Sequence, residues 1–224
     1  GVTNARIVNG QDKLDVLPKG SPVFAAVNHY SGYKLLDIEQ SEFGLNLSGM
    51  DDVIPFPFFY SSLIPVADKL GDNLYDAHLE MPGVFGKIQE EAGLLVVPQE
   101  QRAFTDVKKR TQEMINKRQN SLIAIFPEGG TSGKRNNGGP YDLDKFHGGS
   151  FAIAYELGIP VIPICQYFNP NSGFEVGILD PVIFENVPEV EDRDVRKEYF
   201  GKVAEQTRIR MQQWLTQRQQ AVAA

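Results

Sequence analysis

Four short apolar runs set the main constraint on how this chain can fold: "PVFAAVNH" (22–29), "GLLVVP" (93–98), "SLIAIFP" (121–127) and "IPVIPIC" (159–165). Each ends at turn residues and is shorter than a typical helix, so each reads as a strand covered on both faces. Helical patterns lie between them. From Thr105 to Lys117, Val107, Met114 and Ile115 fall near one face, with Lys108, Lys109 and Arg110 largely outside it. "HGGSFAIAYELG" (147–158) reads as a helix closed by Gly158. Residues 192–218 read as a long terminal helix with Val195, Phe200, Val203, Met211, Trp214 and Leu215 as its apolar set. This alternation predicts an α/β fold with a mixed, largely parallel central sheet flanked by helices. The 224 residues, 42% of them hydrophobic, suffice for one substantial core and a single domain over 1–224.

Composition removes several function classes. A net charge of -7 argues against nucleic acid as a partner, which calls for a basic stripe. One cysteine excludes an internal disulfide, and with only three histidines no metal cluster is expected. No apolar run approaches the ~20 residues of a membrane span, and the first residues lack a signal-peptide pattern. A soluble, cytoplasmic protein is the expectation. The segment "DDVIPFPFFYSSLIPV" (51–66) has two readings: a Pro-broken core helix with a connecting loop, or a greasy surface for acyl chains or a bilayer.

Two loops carry the chemistry. The run 22–27 ends in Asn28, His29, Tyr30 and Ser31, where open α/β sheets build their sites. Near neutral pH an imidazole is the side chain best suited to take a proton from a hydroxyl, and a carboxylate on its second nitrogen would fix its tautomer. The run 121–126 ends in "PEGGTSGKR" (127–135), an acid, a glycine-rich turn and two cations. At the same sheet edge the two loops would supply a base and a polar pocket, with Lys134 and Arg135 suited to a phosphate. Spacing excludes a Walker A loop: Glu128 stands at the first-glycine position and Arg135 follows Lys134. A nucleophile elbow fails too, because Gly133 comes one place early. Cys165 reads as a small core residue. A histidine base without a protein nucleophile suits direct transfer to an outside hydroxyl.

These residues make the chain resemble the glycerolipid acyltransferase family typified by the lysophosphatidic acid acyltransferase PlsC. Asn28-His29-Tyr30-Ser31 is similar to its Asn-His-x-Ser-x-x-Asp block. Phe126-Pro127-Glu128-Gly129-Gly130-Thr131 is similar to its Phe-Pro-Glu-Gly-Thr block, with one extra glycine and no arginine after the threonine. Ile159-Pro160-Val161-Ile162-Pro163-Ile164 resembles its proline-flanked strand, with "KFHGGSFAIA" (145–154) as the helix before it. "GLLVV" (93–97) leading to Arg102 is a looser match to the remaining block. The family's aspartate position is occupied here by Lys34. Asp51 restores the motif if residues 32–48 are an insertion, because an apolar stretch follows it as in the family; Asp37 and Asp52 are the alternatives.

The resemblance implies transfer of a fatty acyl group from acyl-CoA or acyl carrier protein to a lysophospholipid or glycerol-phosphate hydroxyl, with no further cofactor. It implies His29 as general base and Asp51 as its orienting partner. Glu128, Gly129 and Thr131 would shape the acceptor site, and Arg102, Lys134 and Arg135 would meet its phosphate. Two rivals are an acyl-thioester hydrolase and a lipid-binding domain without chemistry. A lipid acceptor also implies peripheral contact with a membrane, through segment 32–66 and the basic residues of 102–118, although an acidic chain is repelled by anionic lipids. Co-sedimentation with anionic vesicles at low salt tests this: pelleting of the protein is expected, and its absence counts against peripheral docking.

Overall fold

The computed structural model describes residues 5–29, 56–71, 73–79, 95–97, 103–117, 121–130, 132–133, 135–189 and 191–223. Seven strands form one sheet: β1 (Arg6–Asn9), β2 (Val23–Val27), β3 (Asn73–Leu79), β4 (Leu95–Val97), β5 (Ser121–Ile125), β6 (Val161–Asn169) and β7 (Gly173–Ile178). The helices are α1 (Phe56–Leu70), α2 (Ala103–Lys117), α3 (Gly149–Leu157) and α4 (Arg193–Ala223). The sheet order is β1-β7-β6-β2-β5-β3-β4. From β6 to β4 all neighbours run parallel; β7 is antiparallel to β6 and carries β1 parallel to itself. The mixed, largely parallel α/β fold expected from the alternating pattern is the fold observed.

The central strands are continuous apolar runs because both their faces are covered. Phe24 and Ala26 of β2, with Ile123 and Ile125 of β5, enter one core with α3 and α4. Val23, Ala25 and Val27, with Leu122 and Ala124, enter the other with Leu63, Val66, Ala67 and Leu70 of α1. The period of two along each strand therefore divides the molecule into an α1 face and an α2/α3/α4 face. This division follows from topology. The β2-to-β3 crossover and the β4-to-β5 and β5-to-β6 crossovers run in opposite directions along the sheet, and right-handed connections then lie on opposite faces.

The expected helices form with shifted ends. Val107, Met114 and Ile115 of α2 pack on the core, and Gly158 closes α3 in the left-handed conformation at φ 65°. Phe200, Val203, Met211 and Leu215 of α4 are buried, but Val195 is 45% exposed and does not join them, because α4 meets the core only from Tyr199 onward. Of the two readings of 51–66, the described part supports a core helix: α1 continues through Pro65 and buries Leu63 and Val66. Residues 51–55 and the expected insertion at 32–48 lie outside the described residues. Cys165 is fully buried in the core, where burial pushes its thiol pKa up, as expected for a structural residue.

Three strands are not evident in the sequence. β7 pairs with β6 across a turn in which Asn169 accepts from the Ser172 and Asn171 N–H groups. It contains Glu175, whose fully buried carboxylate receives Arg6 from β1 at 2.8 Å, Arg218 from α4 at 2.5 Å, and also Asn169 and Ser172. Burial opposes the charge, but these donors outweigh it and hold the pKa of Glu175 down to about 2. Two residues on, a Cβ at Gly177 would stand 2.2 Å from Cε2 of Trp214, so this glycine makes room for the α4 indole. Gly177→Ala is expected to destabilise the protein by about 1–3 kcal/mol through overpacking. Urea unfolding of Gly177→Ala, Trp214→Leu and the double variant tests it: the double variant should lose less than the two single losses added together.

Candidate active site

The loops after β2 and β5 leave the same edge of the sheet, because the two strands are parallel neighbours with Ala26 paired to Ile125. They also stand where crossovers depart in opposite directions, the position at which open α/β sheets form a crevice. Three hydrogen bonds of the buried Glu128 carboxylate join the segments there. Oε1 accepts the His29 backbone N–H at 3.2 Å and the Ser132 hydroxyl at 2.6 Å; Oε2 accepts the Asp144 N–H at 2.8 Å. The Ser132 N–H donates back to the His29 carbonyl at 2.6 Å. The main chain of His29 is therefore held on both its polar groups by the β5 loop.

Asn28 fixes the other side. Its amide accepts the Gln166 N–H at 2.7 Å and donates to the Gln166 carbonyl at 3.1 Å, extending β2 along β6 after its own ladder has ended. The His29 ring is partly buried, with its centroid 4.5 Å from that of Phe126, and Phe126 packs on the α1-face core. The imidazole thus occupies the α1 face at the carboxyl end of the sheet.

The glycine loop needs its glycines for space. Gly133 has φ 73°, and a Cβ there would stand 2.2 Å from the Gly139 carbonyl oxygen. Asp144, itself buried, accepts the Arg135 and Asn136 N–H groups at 2.9 and 3.0 Å and closes the loop. The Arg135 guanidinium donates to the carbonyls of Glu128 at 3.0 Å and Gly129 at 3.2 Å, and lies 3.1 Å from His147 Nε2. Because arginine can only donate, His147 Nε2 accepts and its ring is neutral with the proton on Nδ1. Burial, then Arg135 and Lys145, lower the pKa of His147 in the same direction. His147 also lines a cleft of about 1310 Å³ on the α2/α3/α4 face, between the first turns of α2 and α4.

Of the residues expected to act, the structure brings together His29, Glu128, Gly129 and Arg135. Glu128 reaches the site through the backbone it holds: its carboxylate is turned inward and fully buried. Arg102, Thr131 and Lys134 lie outside the described residues, as do Asp51, Asp37 and Asp52. Ser132, Asp144 and His147 belong to the cluster but were not singled out from the sequence. Asp144 immediately precedes, and His147 lies within, the block "KFHGG" (145–149), whose only sequence signal is its place at the start of α3.

Residues 74–167, from β3 into β6 and including the Glu128 loop, match the family model described as Acyltransferase. The matched segment is similar to the acyltransferase family to which the PlsC glycerolipid acyltransferases belong. The match supports acyltransferase function in general. It begins after α1, so this acyltransferase segment contains the acid loop, while His29 stands before it in the loop that follows β2. No curated protein matches the chain.

Burial raises the pKa of Glu128 from 4.5 to about 7, only partly offset by the donors from Ser132, Asp144 and His29. Between those two values the folded protein keeps a proton that the unfolded chain releases, so this group's contribution to stability falls as pH rises. Glu128→Gln removes the titration and sets an amide NH2 against the His29 or Asp144 N–H, a mismatch costing about 1–3 kcal/mol. Denaturant unfolding from pH 5 to 8 is expected to show the wild type ahead at pH 5 and its lead shrinking by on the order of 3 kcal/mol toward pH 8. A lead independent of pH would mean that Glu128 ionises normally.

Proposed function

We propose that this chain transfers a fatty acyl group from an acyl-CoA or acyl carrier protein thioester to a hydroxyl of a lysophospholipid or glycerol-phosphate acceptor. The observation that carries the reading is the capture of His29, on both backbone polar groups, by the glycine loop of an acyltransferase domain. His29 takes the proton of the acceptor hydroxyl as its oxygen attacks the thioester carbonyl. When the tetrahedral intermediate collapses, the C–S bond breaks and the departing sulfur takes that proton from the imidazolium, leaving ester and free thiol. General-base assistance of this kind contributes on the order of 10²–10⁴-fold. Orientation of the two substrates and stabilisation of the oxyanion supply the rest.

Asp51 is proposed to orient the imidazole, with Asp37 and Asp52 as alternatives. Arg102, Lys134 and Arg135 are proposed to meet the acceptor phosphate, beside Gly129 and Thr131. For Arg135 this role is added to its support of the Glu128 and Gly129 carbonyls. Among the described residues no helix is long and apolar enough to cross a membrane. A cytoplasmic enzyme that meets its lipid at a membrane surface or its donor on a carrier protein is the form proposed.

The test is release of free thiol from palmitoyl-CoA, with and without a lysophosphatidic acid or glycerol 3-phosphate acceptor. Acceptor-dependent release is expected, falling in His29→Ala by on the order of 10²-fold or more. Release without acceptor would make the protein a thioester hydrolase, and near-normal turnover of His29→Ala would sink the general-base mechanism.

A further inference from the structure

Apart from the Ser150 hydroxyl on α3, the buried side-chain polar atoms without a hydrogen-bond partner among the described residues all belong to Gln166. This residue of β6 is fully buried, and neither its Nε2 nor its Oε1 is paired. A primary amide brings two donor hydrogens and two acceptor lone pairs, and enclosing them unpaired is unfavourable. Its main chain is in the opposite condition, with both polar groups bonded to Asn28.

The position of this amide connects it to the site. Along β6, Ile162 and Ile164 belong to the α1-face core, whereas Val161, Cys165 and Tyr167 belong to the other. Alternation therefore places Gln166 on the α1 face. The β2–β6 register sets Val27 against Ile164, so two residues later His29 falls opposite Gln166. The imidazole is on that same face, against Phe126. Adjacent strands are roughly 4.8 Å apart, and His29 is only partly buried. A molecule that reaches the imidazole is one strand away from the unpaired amide.

We propose that Gln166 is a substrate-contacting residue of the His29 site, its amide taking a neutral group that both donates and accepts hydrogen bonds. This rests on the acyl-transfer reading above. A phosphate or carboxylate would satisfy Nε2 and leave Oε1 unpaired; a hydroxyl or an amide satisfies both. Two parts of the substrates carry such a group. One is a second hydroxyl of the acceptor, since the reacting hydroxyl gives its proton to His29. The other is an amide of the pantetheine arm of the donor.

Gln166→Met keeps the length of the side chain and removes both polar atoms. Wild type and variant are compared by thermal unfolding, alone and with glycerol 3-phosphate or palmitoyl-CoA, and by kcat and KM for each in the thiol-release assay. The variant is expected to melt at or above the wild-type temperature, because two unpaired buried atoms are gone. One probe should lose its stabilising shift and show a KM raised about tenfold, the scale of one lost hydrogen bond. Loss confined to glycerol 3-phosphate assigns the hydroxyl, and loss confined to palmitoyl-CoA assigns the amide. Both shifts retained, with both KM values within twofold, overturns the proposal. A lower melting temperature with unchanged KM values overturns it too, by making the amide structural, and so does a wild type shifted by neither probe. Wild-type shifts without any thiol release would sink the acyl-transfer reading alone, and the contact is then decided by whether Gln166→Met abolishes a shift.

Discussion

The hydrogen bonds of one buried carboxylate hold the site together. Glu128 lies in the loop after β5, yet its acceptors serve the backbone after β2, the hydroxyl of Ser132 and the backbone of Asp144. Three segments distant in sequence are fixed against one another by two oxygen atoms. Parallel pairing makes this reachable, because only parallel neighbours bring both of their following loops to the same edge. Opposite crossovers then carry the chains away on different faces and leave the crevice between them unfilled. The imidazole of His29 needs this support, since a base misplaced by about 1 Å loses much of its effect.

Two buried glutamates show what different partners do to the same side chain. Glu175 meets two guanidinium groups and keeps its charge far below the usual range, at about 2; Glu128 meets neutral donors, and burial lifts it to about 7. The first ties the sheet edge and α4 together and titrates only in strong acid. The second titrates around neutrality, within the glycine loop that holds the His29 backbone. Charge-assisted bonds to arginine offset desolvation at Glu175; N–H and O–H dipoles do so only partly at Glu128.

The two faces of the sheet have different occupants at their carboxyl edge. His29 and Gln166 belong to the α1 face, whereas the large cleft opens on the opposite side and reaches the Glu128 loop through His147. Arg135 stands between, on the carbonyls of Glu128 and Gly129 and beside the His147 ring. The acyltransferase segment supplies this loop and the strands that position it, and β2 delivers the histidine from outside that segment.

How much could be read in advance depended on local chemistry. The runs at β2, β5 and β6 were legible because strands buried on both faces must be apolar at every position, and the helices because their apolar residues recur with the helical period. His29 and Glu128 were legible as polar residues directly after such strands. β7 was not: Glu175 interrupts its apolar pattern, and the Arg6 and Arg218 that make this acid tolerable are far away in the chain. β3 was hidden in the same way by Asn73, Asp76 and His78. Asp144 and His147 carry no local signal beyond their place before α3, because their roles consist of bonds to a loop that precedes them by many residues. The sequence by itself thus determined the strands β2, β4, β5 and β6, the helices α2, α3 and α4 and the two reactive loops, since burial acts on each short segment alone. Only the tertiary structure decided the strand order, the inward turn of Glu128 and the shared face of His29 and Gln166, because pairing register and buried hydrogen bonds are properties of distant segments in contact.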